Sequence, residues 1–187
     1  MSWQAALGLG IPALVAVAGF LLTYRNNLRL NQRKDRLDRI TRQLGDLYGP
    51  LYANASASTA AWLVFRSQYR PGGAFWSSFR SAPTEDEAAA WRRWMTTVFM
   101  PLNRRLRDAI VEHIDLLEEE VVPQVLLDVC AHVASYEAVL QRWEEGDYTE
   151  HTTPFNFPAD ELFAYAKGGL LRLKTEQKKF LRSTSSS

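Results

Sequence analysis

The sequence predicts an all-α protein: one N-terminal transmembrane helix followed by a four- to five-helix cytoplasmic bundle. Three observations carry that expectation. Residues Trp3 to Tyr24, WQAALGLGIPALVAVAGFLLTY, contain no charged side chain, and about 22 apolar-rich residues at ~1.5 Å rise cover the ~30 Å hydrocarbon core of a bilayer. Arg25, Arg29, Arg33, Lys34, Arg36, Arg39 and Arg42 then crowd into the next eighteen positions. Beyond them apolar residues recur every three or four positions, and no stretch alternates with the period of two that a half-buried strand requires.

The first 24 residues read as a membrane anchor rather than a cleaved signal. Ala16-Val17-Ala18 offers a small-x-small cleavage pattern. Against it, no Lys or Arg precedes the apolar run, which continues past that site through Phe20, Leu21 and Leu22. With the positive charge all on the C-terminal flank, the positive-inside rule puts the N-terminus outside and residues 25–187 in the cytoplasm. Trp3 and Tyr24 stand at the two ends, where amphipathic rings favour the headgroup layer. Pro12 in mid-span is tolerated in membrane helices.

The overall charge of +1 conceals an asymmetry. Seven cations against Asp35 and Asp38 leave residues 25–42 at +5 and the rest of the chain at −4. A mildly acidic body speaks against nucleic acid as a partner. The basic collar instead fixes topology and attracts anionic lipid headgroups, each cation contributing ~1 kcal/mol near the surface. Cys130 is the single cysteine, so no intramolecular disulfide is possible.

Residues 25–50 form a membrane-proximal helix. Leu30, Leu37, Leu44 and Leu51 recur every seven positions, with Ile40 and Leu47 in the complementary places. This is a seam of about three heptads, interrupted by Arg33, Gly45 and Gly49-Pro50. It either joins two copies of the chain or lays one amphipathic stripe on the rest of the domain, and its shortness favours the second. Residues 51–182 form the bundle. Its first helix, 51–70, continues from the preceding one or restarts at Pro50. Residues 71–83 are a Gly- and Pro-punctuated loop carrying Phe75, Trp76 and Phe79, a candidate contact site that more often folds back to plug a bundle end.

Thr84-Glu85-Asp86-Glu87 has the pattern of a capping box, with three acidic groups suited to the positive helix end. That helix carries Trp91, Trp94, Met95 and Val98, is expected to kink near Pro101, and resumes with Leu106, Ile110, Ile114 and Leu117. Glu118-Glu119-Glu120 marks a bend. Pro123 suits the first position of the next helix, whose stripe is Leu126, Val129, Val133, Tyr136, Leu140 and Trp143, ended by Gly146. After a loop over 147–157, a last helix from about Pro158 to Arg182 places Leu162, Ala166, Leu170, Leu173, Gln177 and Phe180 on one side. Gly168-Gly169 weaken it by about 1 kcal/mol each relative to Ala. Residues 183–187 are expected to be a disordered tail.

LYGPLY from Leu47, WRRWMTTVFMPLNRRLRDAIVEHIDLL, HVASYEAVLQRW and NFPADELFAYAKGGLLRLKTEQ together resemble a functionally unassigned bacterial family of small membrane-anchored all-helical proteins. The resemblance covers most of the chain. It implies a place in the bacterial inner membrane and supplies no catalytic residue.

The sharpest enzymatic pattern is Arg107-Asp108 with His113 six residues after the arginine, similar to the signature of HEPN ribonucleases. That resemblance implies Arg107 binding a scissile phosphate and His113 moving a proton. Six residues of regular helix turn ~600°, which sets the two on different faces. His113, His132 and His151 are nineteen residues apart each time and offer no metal-ligand spacing. No phosphate loop or nucleophile elbow occurs, so neither metal nor cofactor is expected. The expected function is tethering or scaffolding, with membrane lipid and either a protein partner or a second copy of the chain as partners. The alternatives are a membrane-tethered HEPN-like ribonuclease and a membrane-disrupting effector oligomerised along the Leu30–Leu51 seam.

Overall fold

The computed structural model describes residues 3–69 and 83–184, with side chains placed throughout those ranges except at 3–15, 18, 183 and 184. Among the described residues the chain is all-helical. The contact-loop candidates Phe75, Trp76 and Phe79 lie outside the described residues, as does the end of the expected tail. The chain divides into two compact units, Met1–Thr41 and Arg42–Ser187. That boundary falls inside the membrane-proximal stretch expected over 25–50.

The first unit holds all but the last residue of α1, Trp3–Arg42, a 40-residue helix. Between residues 16 and 36 every placed side chain is exposed, and Ile40 is buried. Among the described residues no helix is long and apolar enough to cross a membrane, so the span expected over 1–24 gains no support from the structure. Most of that run falls on residues 3–15, whose side chains lie outside the described set.

Among the described residues the second unit is built from four helical rods. The first comprises a π-helical turn, Gln43–Tyr48, and α2, Gly49–Tyr69. The second comprises α3, Glu85–Trp94, a π-helical turn, Met95–Phe99, and α4, Met100–Glu112. After a 3₁₀ turn, Ile114–Leu116, come α5, Gln124–Glu144, and α6, Ala159–Thr184. α2 packs on α4 and α6, and α4 on α5.

Two prolines expected to bend or break helices are absorbed in the same way. A proline has no N–H to give and its ring crowds the carbonyl four residues back. In each case the turn before it widens. Gly49, which precedes Pro50, donates its N–H to the Leu44 carbonyl five residues back, and Met100, which precedes Pro101, donates to Met95. An i→i+5 turn accommodates the extra bulk without ending the helix.

Local signals elsewhere match the observed ends. The Thr84 hydroxyl accepts from the Glu87 N–H at 3.3 Å, and the Glu87 carboxylate accepts from the Thr84 N–H at 2.7 Å. Gly146, at φ +85°, terminates α5 in a conformation that favours glycine. The stripe of α5 from Leu126 to Trp143 is buried throughout. One stripe departs from expectation: α4 stops at Glu112, and the tighter 3₁₀ turn changes the phase. Ile114 therefore faces solvent at 49 % exposure while Leu116 takes the inward place at 2 %.

Pairs of polar groups tie the rods together. The Arg104 guanidinium forks onto both Glu137 carboxylate oxygens at 2.8 and 2.7 Å, joining α4 to α5. That contact, with charge-assisted hydrogen bonds leading, holds the Glu137 carboxyl below its ordinary value. Tyr48 donates to the Tyr165 hydroxyl at 3.2 Å, and Tyr165 to Glu119 at 3.1 Å. Arg172 pairs with Glu118, so two of the three adjacent glutamates bind α6 rather than marking a bend alone.

Candidate functional site

A cavity of about 380 Å³ opens among α2, the second π-helical turn, α4, α5 and the loop that precedes α6. Trp62 from α2, Trp91 from α3, Met95 and Phe99 from the π turn, and Tyr136 from α5 form its aromatic side. Phe155 and Phe157 line it from the loop, and Asp160 stands in the first turn of α6. The widened turn after Trp94 places both Met95 and Phe99 on the inner face, each at most 5 % exposed.

The loop is held by donors from the aromatic core. Trp91 Nε1 and Tyr136 Oη both donate to the His151 carbonyl, at 2.9 and 2.7 Å. Trp143 Nε1 donates to the Glu150 carbonyl at 2.8 Å. His132 Nδ1 lies 2.7 Å from the Phe155 carbonyl, and since a carbonyl only accepts, Nδ1 carries the proton. Trp91 and Trp143 are therefore core residues that also serve the loop, because their N–H groups satisfy carbonyls that a bundle of helices leaves unpaired. Outside the loop, Arg92 donates to His151 Nε2 at 2.8 Å, lies over the Tyr148 ring and pairs with Glu85.

Two buried polar atoms on residues that line the cavity have no hydrogen-bond partner. They are Asn103 Oδ1 and His132 Nε2, on side chains only 3 % and 5 % exposed. With Nδ1 protonated, Nε2 presents a lone pair. Burial holds His132 below its ordinary value, opposed only in part by the Phe155 bond, so the ring is neutral near pH 7. Burial, followed by the neighbouring Arg92 charge, likewise lowers His151.

These shifts fix a pH dependence. Both histidines are lowered from 6.5, so their contribution is complete above about pH 6.5 and is lost as pH falls below it, while the unfolded chain takes up protons that the folded chain resists. For the buried His132 the loss is ~1.4 kcal/mol per pH unit until its folded value is reached. Urea midpoints measured at pH 7.5 and 5.5 are expected to drop at the lower pH. His132→Gln, which keeps a donor for the Phe155 carbonyl, is expected to shrink that drop. An unchanged drop would place the titrating group elsewhere.

Sequence reasoning misses this site. By spacing, His132 is one of three widely separated histidines, although it lies three residues after Val129 and four before Tyr136, on the inward face of α5. Asn103 lies four after Phe99 and three before Leu106. A polar residue in register with an apolar stripe is the signal that could have found both.

The residues singled out from sequence lie elsewhere. Arg107 on α4 is held by Asp108 at 2.9 and 2.7 Å and approached by Glu137 at 3.7 Å. His113 caps the C-terminal end of α4, half-buried, about 9 Å further along the axis. Neither lines the cavity. Of the seam residues, Leu47, Leu51 and Ile40 are buried, Leu37 and Leu44 half-buried, and Leu30 exposed. Tyr24, Arg25, Arg29, Arg33, Lys34, Arg36, Arg39 and Arg42 are exposed along α1, while the Trp3 side chain lies outside the described residues. Burial raises the Cys130 thiol, Arg107 opposing, so it is a thiol rather than a nucleophilic thiolate. Among the described residues no three His, Cys, Asp or Glu converge as metal ligands. No known family model, curated protein or solved structure matches the chain.

Proposed function

We propose that the chain is a single-pass membrane-anchored helical protein that tethers or scaffolds a protein partner on the cytoplasmic face of a bacterial inner membrane. The observation that carries this reading is the apolar surface of α1. Val17, Phe20, Leu21 and Leu22 are 52–70 % exposed at the end of a run without a charged side chain. Exposed apolar surface of that extent marks contact with lipid or another protein. The cations begin at Arg25, one residue after the run ends. On a regular helix Arg25, Arg29, Arg33, Arg36 and Arg39 fall within an arc of roughly 120°, spread over about 21 Å. Such a row suits anionic headgroups at its near end and an acidic partner further out. Aromatic packing and the Arg104–Glu137 pair hold the bundle's helices together.

Two measurements test the reading. The full chain is expected to stay in the membrane pellet after carbonate extraction. Leu14→Asp with Val17→Asp, each adding roughly 2.5–3.5 kcal/mol to insertion, is expected to move it to the supernatant. Wild-type chain in the supernatant would overturn the anchor. Cell-wide crosslinking followed by native mass measurement in mild detergent is expected to give a particle well above 21.3 kDa. A bare monomer would overturn the scaffold.

A further inference from the structure

The bundle's cavity has a chemical character that the tethering role does not use. Its volume, about 380 Å³, exceeds by far the ~10–15 Å³ that one water needs and lies in the range of small-molecule sites. Six aromatic rings line it together with neutral polar side chains such as Ser58, Thr152 and Asn156. Asp160 is the one charged side chain among the described residues that line it. Two of its lining residues each carry a buried unpartnered acceptor, His132 Nε2 and Asn103 Oδ1.

Each feature selects against something. Buried acceptors without a donor are costly and are relieved by an occupant that brings N–H or O–H groups. An anion would meet Asp160 and two lone pairs with no cation to compensate. A purely apolar occupant would leave both acceptors unpaired. Trp62, Trp91 and Phe99 also line it, and aromatic rings favour contact with other flat rings and with a positive charge.

We propose that this cavity is a binding site for a small one- or two-ring aromatic molecule that carries an N–H donor and is neutral or cationic. Its N–H points to His132 Nε2, a second donor or the ring edge meets Asn103, and an appended ammonium group sits toward Asp160. The loop from Glu145 to Pro158 forms one wall, so its anchoring by Trp91, Tyr136, Trp143 and His132 also sets the shape of the site. The site is independent of the membrane anchor and stands or falls without it.

Four probes differing in one feature each test the proposal on the unmodified full-length chain in detergent: indole, tryptamine, benzofuran and indole-3-acetate. Isothermal titration, with micelle partitioning subtracted, reads affinity. Indole and tryptamine are expected to bind saturably. Benzofuran, which keeps the shape and lacks the N–H, is expected to bind about ten-fold or more weakly. Indole-3-acetate, which adds a negative charge, is expected to be weaker by a similar factor. His132→Phe, with folding checked by near-ultraviolet circular dichroism, is expected to erase most of the preference of indole over benzofuran, while Asn103→Leu, which meets only the ring edge of indole, is expected to keep it. Should either variant fail to fold, the probe comparison on the unmodified chain still decides. Equal affinity for indole and benzofuran, tightest binding of indole-3-acetate, or no saturable binding of any probe up to millimolar concentration would each overturn the proposal.

Discussion

Phe65→Ala is expected to destabilise the bundle by about 3–5 kcal/mol, the range for deleting a large aromatic side chain from a packed core. Phe65 is fully buried on α2. Its ring centroid lies 5.0 Å from Tyr69, 5.5 Å from Trp91, 5.6 Å from Trp94, 5.8 Å from Trp62 and 6.2 Å from Phe99. It is the ring on which α2, α3 and the second π-helical turn converge, and those neighbours cannot all collapse into the void at once. Leu63, two residues earlier on the same helix, is 60 % exposed, and Leu63→Ala is expected to change stability by no more than about 0.5 kcal/mol. Urea titration of both variants reads the contrast. A loss under about 1 kcal/mol for Phe65→Ala would mean that the aromatic cluster does not hold the bundle together.

Gly168→Ala and Gly169→Ala are expected to act in opposite directions. Gly168 is exposed, with open space where a Cβ would stand, so alanine there should stabilise α6 by about 0.5–1 kcal/mol through helix propensity. Gly169 packs against Tyr48, and an added Cβ would overlap the ring carbons Cδ1 and Cε1. Tyr48 is itself fully buried and its hydroxyl is tied to Tyr165, so the ring has nowhere to swing. Overpacking of this kind costs about 1–3 kcal/mol and outweighs the propensity gain. Thermal or urea unfolding of the two single variants checks the signs. If Gly169→Ala matched Gly168→Ala, the close approach of α6 to the Gln43–Tyr48 turn would be refuted.

That glycine pair also shows how far a sequence can be read by propensity. Both residues look alike there, as weak points in a helix, because propensity is a property of the residue and its immediate neighbours. What distinguishes them is a ring 121 residues earlier in the chain that one meets and the other does not. The proline turns behave in the same way at shorter range. Pro50 and Pro101 announce a disturbance, but whether a helix kinks, stops or widens depends on the tertiary contacts that reward keeping the flanking turns in place.

By itself the sequence determined the helical class, the capping box at Thr84, the stop at Gly146 and the inward stripe of α5. It also determined the charge asymmetry and the uncharged run that together motivate the anchor. Each of these rests on interactions within one turn of helix or on a periodicity that a single segment displays. Only the tertiary structure decided that Asn103 and His132 share a wall, that tryptophan N–H groups clamp the loop before α6, and that Gly169 must remain small. Those facts depend on which faces of separate helices meet. Residues on α4 and α5 enter one cavity because four rods pack around it, and packing of that kind is a sum over many weak contacts between residues far apart in the chain.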